Sequence, residues 1–124
     1  KVHQAKIEGA PNVEIWGNGI ARREFMYAPD LADAVFQAAT DIETCPELIN
    51  IGLGHDFTIN EYYSEVAEVI DWQGKFIHDL ARPVGIDQKL CNTRRATEWG
   101  WSAPTSLRVG IEETYKFYCE RFGK

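Results

Sequence analysis

Long apolar runs, paired cysteines and a surplus of positive charge are all missing from this chain of 124 residues. No apolar run approaches the roughly 20 residues needed to span a bilayer, so no membrane partner is expected. Only three cysteines occur, Cys45, Cys91 and Cys119. Their odd number, wide spacing and lack of a C-x-x-C pair speak against a zinc knuckle and a disulfide framework. Cysteine used in this way predicts a reducing, cytoplasmic setting. Lys and Arg number 13 against 19 Asp and Glu, a net charge of −6. That is the wrong sign for a non-specific nucleic-acid binder, and no nucleic-acid partner is expected. Net charge governs long-range steering, so a local group of cations can still hold a small anionic molecule.

Catalytic and cofactor motifs are equally scarce. There is no phosphate-binding G-x-x-x-x-G-K-[ST] loop and no G-x-S-x-G nucleophile turn. His3, His55 and His78 are the only histidines, and none stands at metal-ligand spacing from another ligand type. No base or cation cluster marks a cysteine as an activated nucleophile. Gly52-Leu53-Gly54 follows an apolar run and precedes a helix signal, but the third glycine of a dinucleotide fingerprint would fall at position 57, which is Phe. A turn is expected there, and no cofactor-binding or metal-binding residue is assigned.

What remains is the composition of a folded domain: 44% apolar, 26% charged and 12% aromatic residues. The length suits one domain and not two, so residues 1–124 are read as a unit. The first residue is Lys1, and residues 2–8 read as a helix already under way, which suggests a fragment of a longer protein. Gly9 and Pro11 stop that helix. Residues 13–16 and 23–27 alternate as strands, with a Gly17-Asn18-Gly19 turn between. A helix opens at Pro29-Asp30, and Leu31, Val35, Ala38 and Ala39 share one of its faces. Residues 48–51 (LINI) read as a short buried strand. Thr58-Ile59-Asn60-Glu61 is a capping box that starts a helix striped by Ile59, Tyr62, Val66, Val69 and Ile70. Residues 75–79 are a strand, 82–87 a loop, 89–91 a short strand, and a brief helix runs to Trp99. Ser106 or Thr105 caps a last helix carrying Leu107, Ile111, Tyr115, Tyr118 and Phe122. The class is mixed α/β with short strands.

Cations cluster at turns and element ends: Lys1, Arg22, Arg23, Arg82 and Lys89. Arginine offers a planar fork that matches phosphate bidentately. Trp16 closes a strand beside Gly17, where an open indole face could stack on a flat ring. Spacing alone also allows a core Trp16 and solvated or paired cations.

Taken together, HQAKIEGAPNVEIWGNGIARREFMYAPDLADA, LINIGLGHDFTI, the RPVG loop, Lys89, EWGW and IEETYKFY resemble the C-terminal third of the GDP-L-fucose synthases. These are extended short-chain dehydrogenase/reductases of the nucleotide-sugar epimerase and dehydratase type. The likeness covers nearly the whole chain, and A-P-x-V-x-x-W-G-x-G joined to R-E-F and D-L-A-D-A is its most specific part. It implies a small mixed α/β substrate-binding lobe without the Rossmann domain, which in the family holds NADP(H) and the reductase residues. It implies a nucleotide-diphosphate sugar as partner. Lys1 and Trp16 fall at substrate contacts, Arg23 at the arginine that holds the diphosphate, and Lys89 at the lysine ending the K-P-D-G-T-P-R-K loop. Arg82 keeps a cation at the start of that loop. No catalytic residue lies in the chain, and by itself it is expected to turn nothing over.

The departures are specific. Val84 replaces an acidic residue and Gln88 an arginine in that loop. Tyr27 stands where the family has His, and Pro29 replaces an acid. The guanine preference is therefore open, and another sugar-nucleotide epimerase or dehydratase, or a non-catalytic module binding a sugar nucleotide or a protein, stays an alternative. A lobe without its Rossmann partner would expose apolar surface, so a homo-oligomer is expected.

Overall fold

Thr58 starts the central helix as its sequence predicts. Its hydroxyl accepts the Glu61 amide at 3.0 Å, and the Glu61 carboxylate accepts the Thr58 amide at 2.7 Å. The computed structural model describes residues 1–123. In chain order the elements are α1 (Val2–Glu8), β1 (Asn12–Trp16), β2 (Arg22–Arg23), α2 (Ala28–Thr40), β3 (Phe57–Thr58), α3 (Ile59–Ile70), β4 (Lys75–Asp79), β5 (Gln88–Lys89), α4 (Arg94–Trp99) and α5 (Leu107–Phe122). Glycine ends α1 and α4 in the left-handed region, Gly9 at φ 65° and Gly100 at φ 103°, where a β-carbon would be strained.

Two small sheets result. β1 and β4 run parallel, with Trp16 opposite Asp79 at their carboxyl ends. The ladder continues one step, because the Gly17 amide donates to the Asp79 carbonyl at 2.8 Å. β2 lies between β3, antiparallel, and β5, parallel. Ile15, the penultimate residue of β1, is fully buried, a burial that stabilises the fold by about 1.5–3 kcal/mol. Val2 and Ala5 of α1 pack with Val13, Ile70 and Trp72 in one core. The Trp72 indole N–H there donates to the Ala10 carbonyl at 3.2 Å. A second core gathers Ala34, Ala96 and Trp101.

Three expected features differ. The strand read over 23–27 ends at Arg23. Its antiparallel partner would have to continue from Phe57 back through residues 53–56, which turn at the glycines instead. The run 48–51 joins no strand ladder among the described residues. Ile49 and Ile51 pack against the Trp101 core as irregular chain. On α2 the buried residues are Asp30 and Ala34, while Val35 is 61% and Phe36 70% exposed. The reason is polar: Asp30 accepts from the Thr105 hydroxyl at 2.7 Å and from its amide at 3.2 Å. This turns the face bearing 30 and 34 inward and leaves the Leu31–Val35 strip outside.

Candidate functional site

The carboxyl ends of β1 and β4 open on a cleft of about 460 Å³ lined by Lys1, Trp16, Gly19, Arg23, Tyr63, Pro83 and Val84 among others. In α/β sheets, ligands bind outside the carboxyl ends of parallel strands. Trp16 is 52% exposed there. Its indole N–H donates to Glu14 Oε1 at 3.0 Å, which sets the ring's tilt. The Arg82 guanidinium carbon lies 5.1 Å from the ring centroid and Lys1 Nζ 5.6 Å, both within cation–π range. Lys1 Nζ also donates to the Glu14 carbonyl at 2.9 Å. Arg82 is held from behind by Asp79, Nε to Oδ2 at 3.2 Å.

One glycine turn shapes the wall. Gly17 has φ 69° and Gly19 φ 72°. A β-carbon on Gly17 would overlap Val84, and one on Gly19 would overlap Asn60. Val84 thus packs down on the W-G-N-G turn. Asn60 pins it from below, donating through Nδ2 to the Asn18 carbonyl at 3.1 Å, while His78 Nε2 lies 2.8 Å from Asn60 Oδ1.

Arg23 enters from β2. Its guanidinium donates to the carbonyls of Arg22 and Ile86 at 2.7 Å and of Val84 at 3.4 Å. The 82–87 loop is therefore wrapped around this side chain. No carboxylate lies within ion-pair distance of Arg23, Lys89 or Lys1 among the described residues, whereas Arg22 has two, Asp56 and Glu61, and Arg82 has one, Asp79. Lys89 is exposed and paired in register with Arg23. In-register neighbours of adjacent strands project to the same side of a sheet. On the other side Arg22 Nε and Gln88 Nε2 both bind the Asp56 carboxylate, at 2.6 and 2.5 Å. The Gln88 and Arg22 hydrogen bonds hold the Asp56 carboxyl below its ordinary range.

The structure brings Lys1, Trp16 and Arg23 into the lining of one cleft, sets Arg82 over the Trp16 ring outside that lining, and leaves Lys89 on the neighbouring strand, also outside it. Sequence reasoning passed over Glu14, Asp79 and Glu24. The signal for Glu24 was an acid between an arginine and an apolar run, in a strand with one side facing inward. The Glu24 carboxylate accepts the amides of Leu53 and Gly54 at 2.9 and 3.0 Å and of Cys91 at 2.8 Å. The Gly52-Leu53-Gly54 turn is thus filled by a carboxylate of the chain itself. A dinucleotide pyrophosphate would meet a negative charge and occupied donors there, so this turn does not fit such a cofactor.

The small mixed α/β fold is that of the extended short-chain dehydrogenase/reductases. A GDP-mannoheptose C4 reductase from Campylobacter jejuni, solved with NADP bound, matches it with a TM-score of 0.77 and 27% identity over 94% of this chain and 40% of that one. The chain matches the NAD dependent epimerase/dehydratase family over residues 1–52. It is 46% identical over 118 residues to a GDP-L-fucose synthase of Azorhizobium caulinodans, and 43% identical over 118 residues to a GDP-L-colitose synthase of Yersinia pseudotuberculosis. Each alignment takes in 95% of this chain, but the chain spans only 38% of the length of either relative.

Proposed function

We propose that residues 1–124 form the substrate-binding part of a GDP-L-fucose synthase-like enzyme and grip the nucleotide diphosphate of a sugar donor. In this reading Arg23 and Lys89 face the two phosphates. Trp16, backed by Arg82 and Lys1, is the flat wall beside them. The reaction served is 3,5-epimerisation of a GDP-4-keto-6-deoxy sugar and its reduction at C4 by NADPH. The work of this part is orientation, which fixes the sugar ring relative to the hydride and to the acid/base groups. NADP(H) belongs in this reading to the length of the relatives that this chain does not span. The setting proposed is cytoplasmic; no helix among the described residues is long and apolar enough to cross a membrane.

One observation carries the reading. An indole and a guanidinium without a carboxylate partner line the same cleft at the carboxyl end of a parallel strand pair. Two relatives whose names specify GDP sugars support guanine as the base. A second reading, with a different base, is favoured by the loop. Val84 is packed on Gly17, and Gln88 is bound to Asp56, so neither offers a base edge the carboxylate or guanidinium found at those positions in the resembled loop. Calorimetry of the chain with GDP, UDP and CDP separates the readings. GDP is expected to bind one to one, with no turnover when NADPH and the 4-keto sugar nucleotide are mixed with the chain. Preference for UDP or CDP would support the second reading. Absence of binding by all three at millimolar concentration would remove the proposal.

A further inference from the structure

Glu24 follows Arg23 directly, and its carboxylate draws three amides from two distant segments. Oε1 takes Leu53 and Gly54, and Oε2 takes Cys91. The turn is shaped for it, since a β-carbon on Gly52 would come within 2.9 Å of Oε1 and Gly54 adopts φ 71°. Burial alone would raise the Glu24 carboxyl, yet the hydrogen bonds from Cys91, Gly54 and Leu53 outweigh it and hold the group below its ordinary value. A carboxylate this well supplied with donors is satisfied internally, although two cations stand close by in the sheet.

Cys91 lies two residues beyond Lys89, so the bond from Glu24 ties down the end of β5. The β2–β5 ladder is only two residues long, too short to fix its own register. A slip of one residue would send Lys89 to the side of Asp56. Asp56 pins one step of the ladder through Arg22 and Gln88, and Glu24 pins the next.

Building on the sugar-nucleotide reading, we propose that Glu24 is a positioning residue: its carboxylate locks β5 in register with β2, so that Arg23 and Lys89 present their charges together to a nucleoside diphosphate. Glu24 does not touch the ligand itself.

The test uses the full chain and two variants, E24Q and E24A. Glutamine keeps the size but accepts only at its single oxygen, its NH2 being a donor. E24Q is expected to speed hydrogen exchange at the Lys89 and Cys91 amides and to weaken GDP binding by about tenfold. Arg23→Ala should then cost much less in the E24Q background than in the unmodified chain, because both changes disrupt one arrangement. In E24A, acetate should restore the exchange protection and the GDP affinity, while chloride at equal ionic strength should not. A side chain that merely filled space would show no such rescue. Unchanged exchange at Lys89 and Cys91 in E24Q overturns the proposal. So does faster exchange with GDP affinity within about twofold of the unmodified chain. If E24Q does not fold, E24A in acetate decides, and failure of acetate to restore protection overturns the proposal. If the unmodified chain binds no nucleotide, the sugar-nucleotide reading falls by itself. The register lock is then judged on exchange and acetate rescue alone.

Discussion

Arg23 and Lys89 stand in register on adjacent parallel strands, with the Asp56 carboxylate on the opposite side of the sheet. Like charges side by side repel, and neither has a carboxylate partner among the described residues to relieve it. A dianionic ligand would relieve it.

Arg23→Ala should weaken nucleoside-diphosphate binding by at least about 1.5 kcal/mol, the worth of one charge-assisted hydrogen bond. It should also loosen the 82–87 loop, whose Val84 and Ile86 carbonyls it holds. Calorimetry reads the first effect and proteolysis the second. Unchanged affinity in a folded variant removes Arg23 from the site.

Trp16→Ala should separate binding from stability. The side chain is half exposed, so its loss should change unfolding free energy by no more than about 1 kcal/mol. Stacking on a base or ring is worth about 1–3 kcal/mol, and the affinity for GDP should fall accordingly. A large loss of stability with unaltered binding would make Trp16 a structural residue.

Acid should weaken the fold through carboxylates that include Glu24 and Asp56. Glu24 and Asp56 are both held below their ordinary values in the folded chain. A depressed carboxylate contributes stability that is complete above its unfolded value and is lost as pH falls through its folded one. Urea midpoints should therefore be flat near neutrality and decline below the ordinary carboxylate range. E24Q should show a shallower decline than the unmodified chain. An identical slope would mean that Glu24 keeps its unfolded affinity for the proton.

Thr105→Val should destabilise the fold from a position outside the cleft. It leaves the buried Asp30 carboxylate without the hydroxyl that donates at 2.7 Å. An unsatisfied buried polar group costs about 1–3 kcal/mol. Denaturant unfolding measures it, and a loss well below that range would show that Asp30 finds another donor.

Self-association is proposed through the outer strip of α2, where Val35 and Phe36 are largely exposed. Sedimentation should show concentration-dependent association that Phe36→Glu abolishes. A strictly monomeric profile at high concentration counts against it.

Local signals in the chain were enough for the helices. The capping box at Thr58, the stop at Gly9 and the cap read at Ser106 or Thr105, which falls to Ser106, act within a few residues of the ends they define, so their physics is readable in order along the chain. The aromatic and cationic candidates were legible for the same reason, since each sits beside a turn glycine or an element end. What could not be read was which partner each side chain would meet. That α2 buries Asp30 in place of Val35 depends on Thr105, 75 residues away. That the glycine turn wraps Glu24 depends on Cys91, 67 residues further on. Charge and hydrogen bonding act over a few ångströms in space, and only the folded chain brings residues so far apart in order within that range.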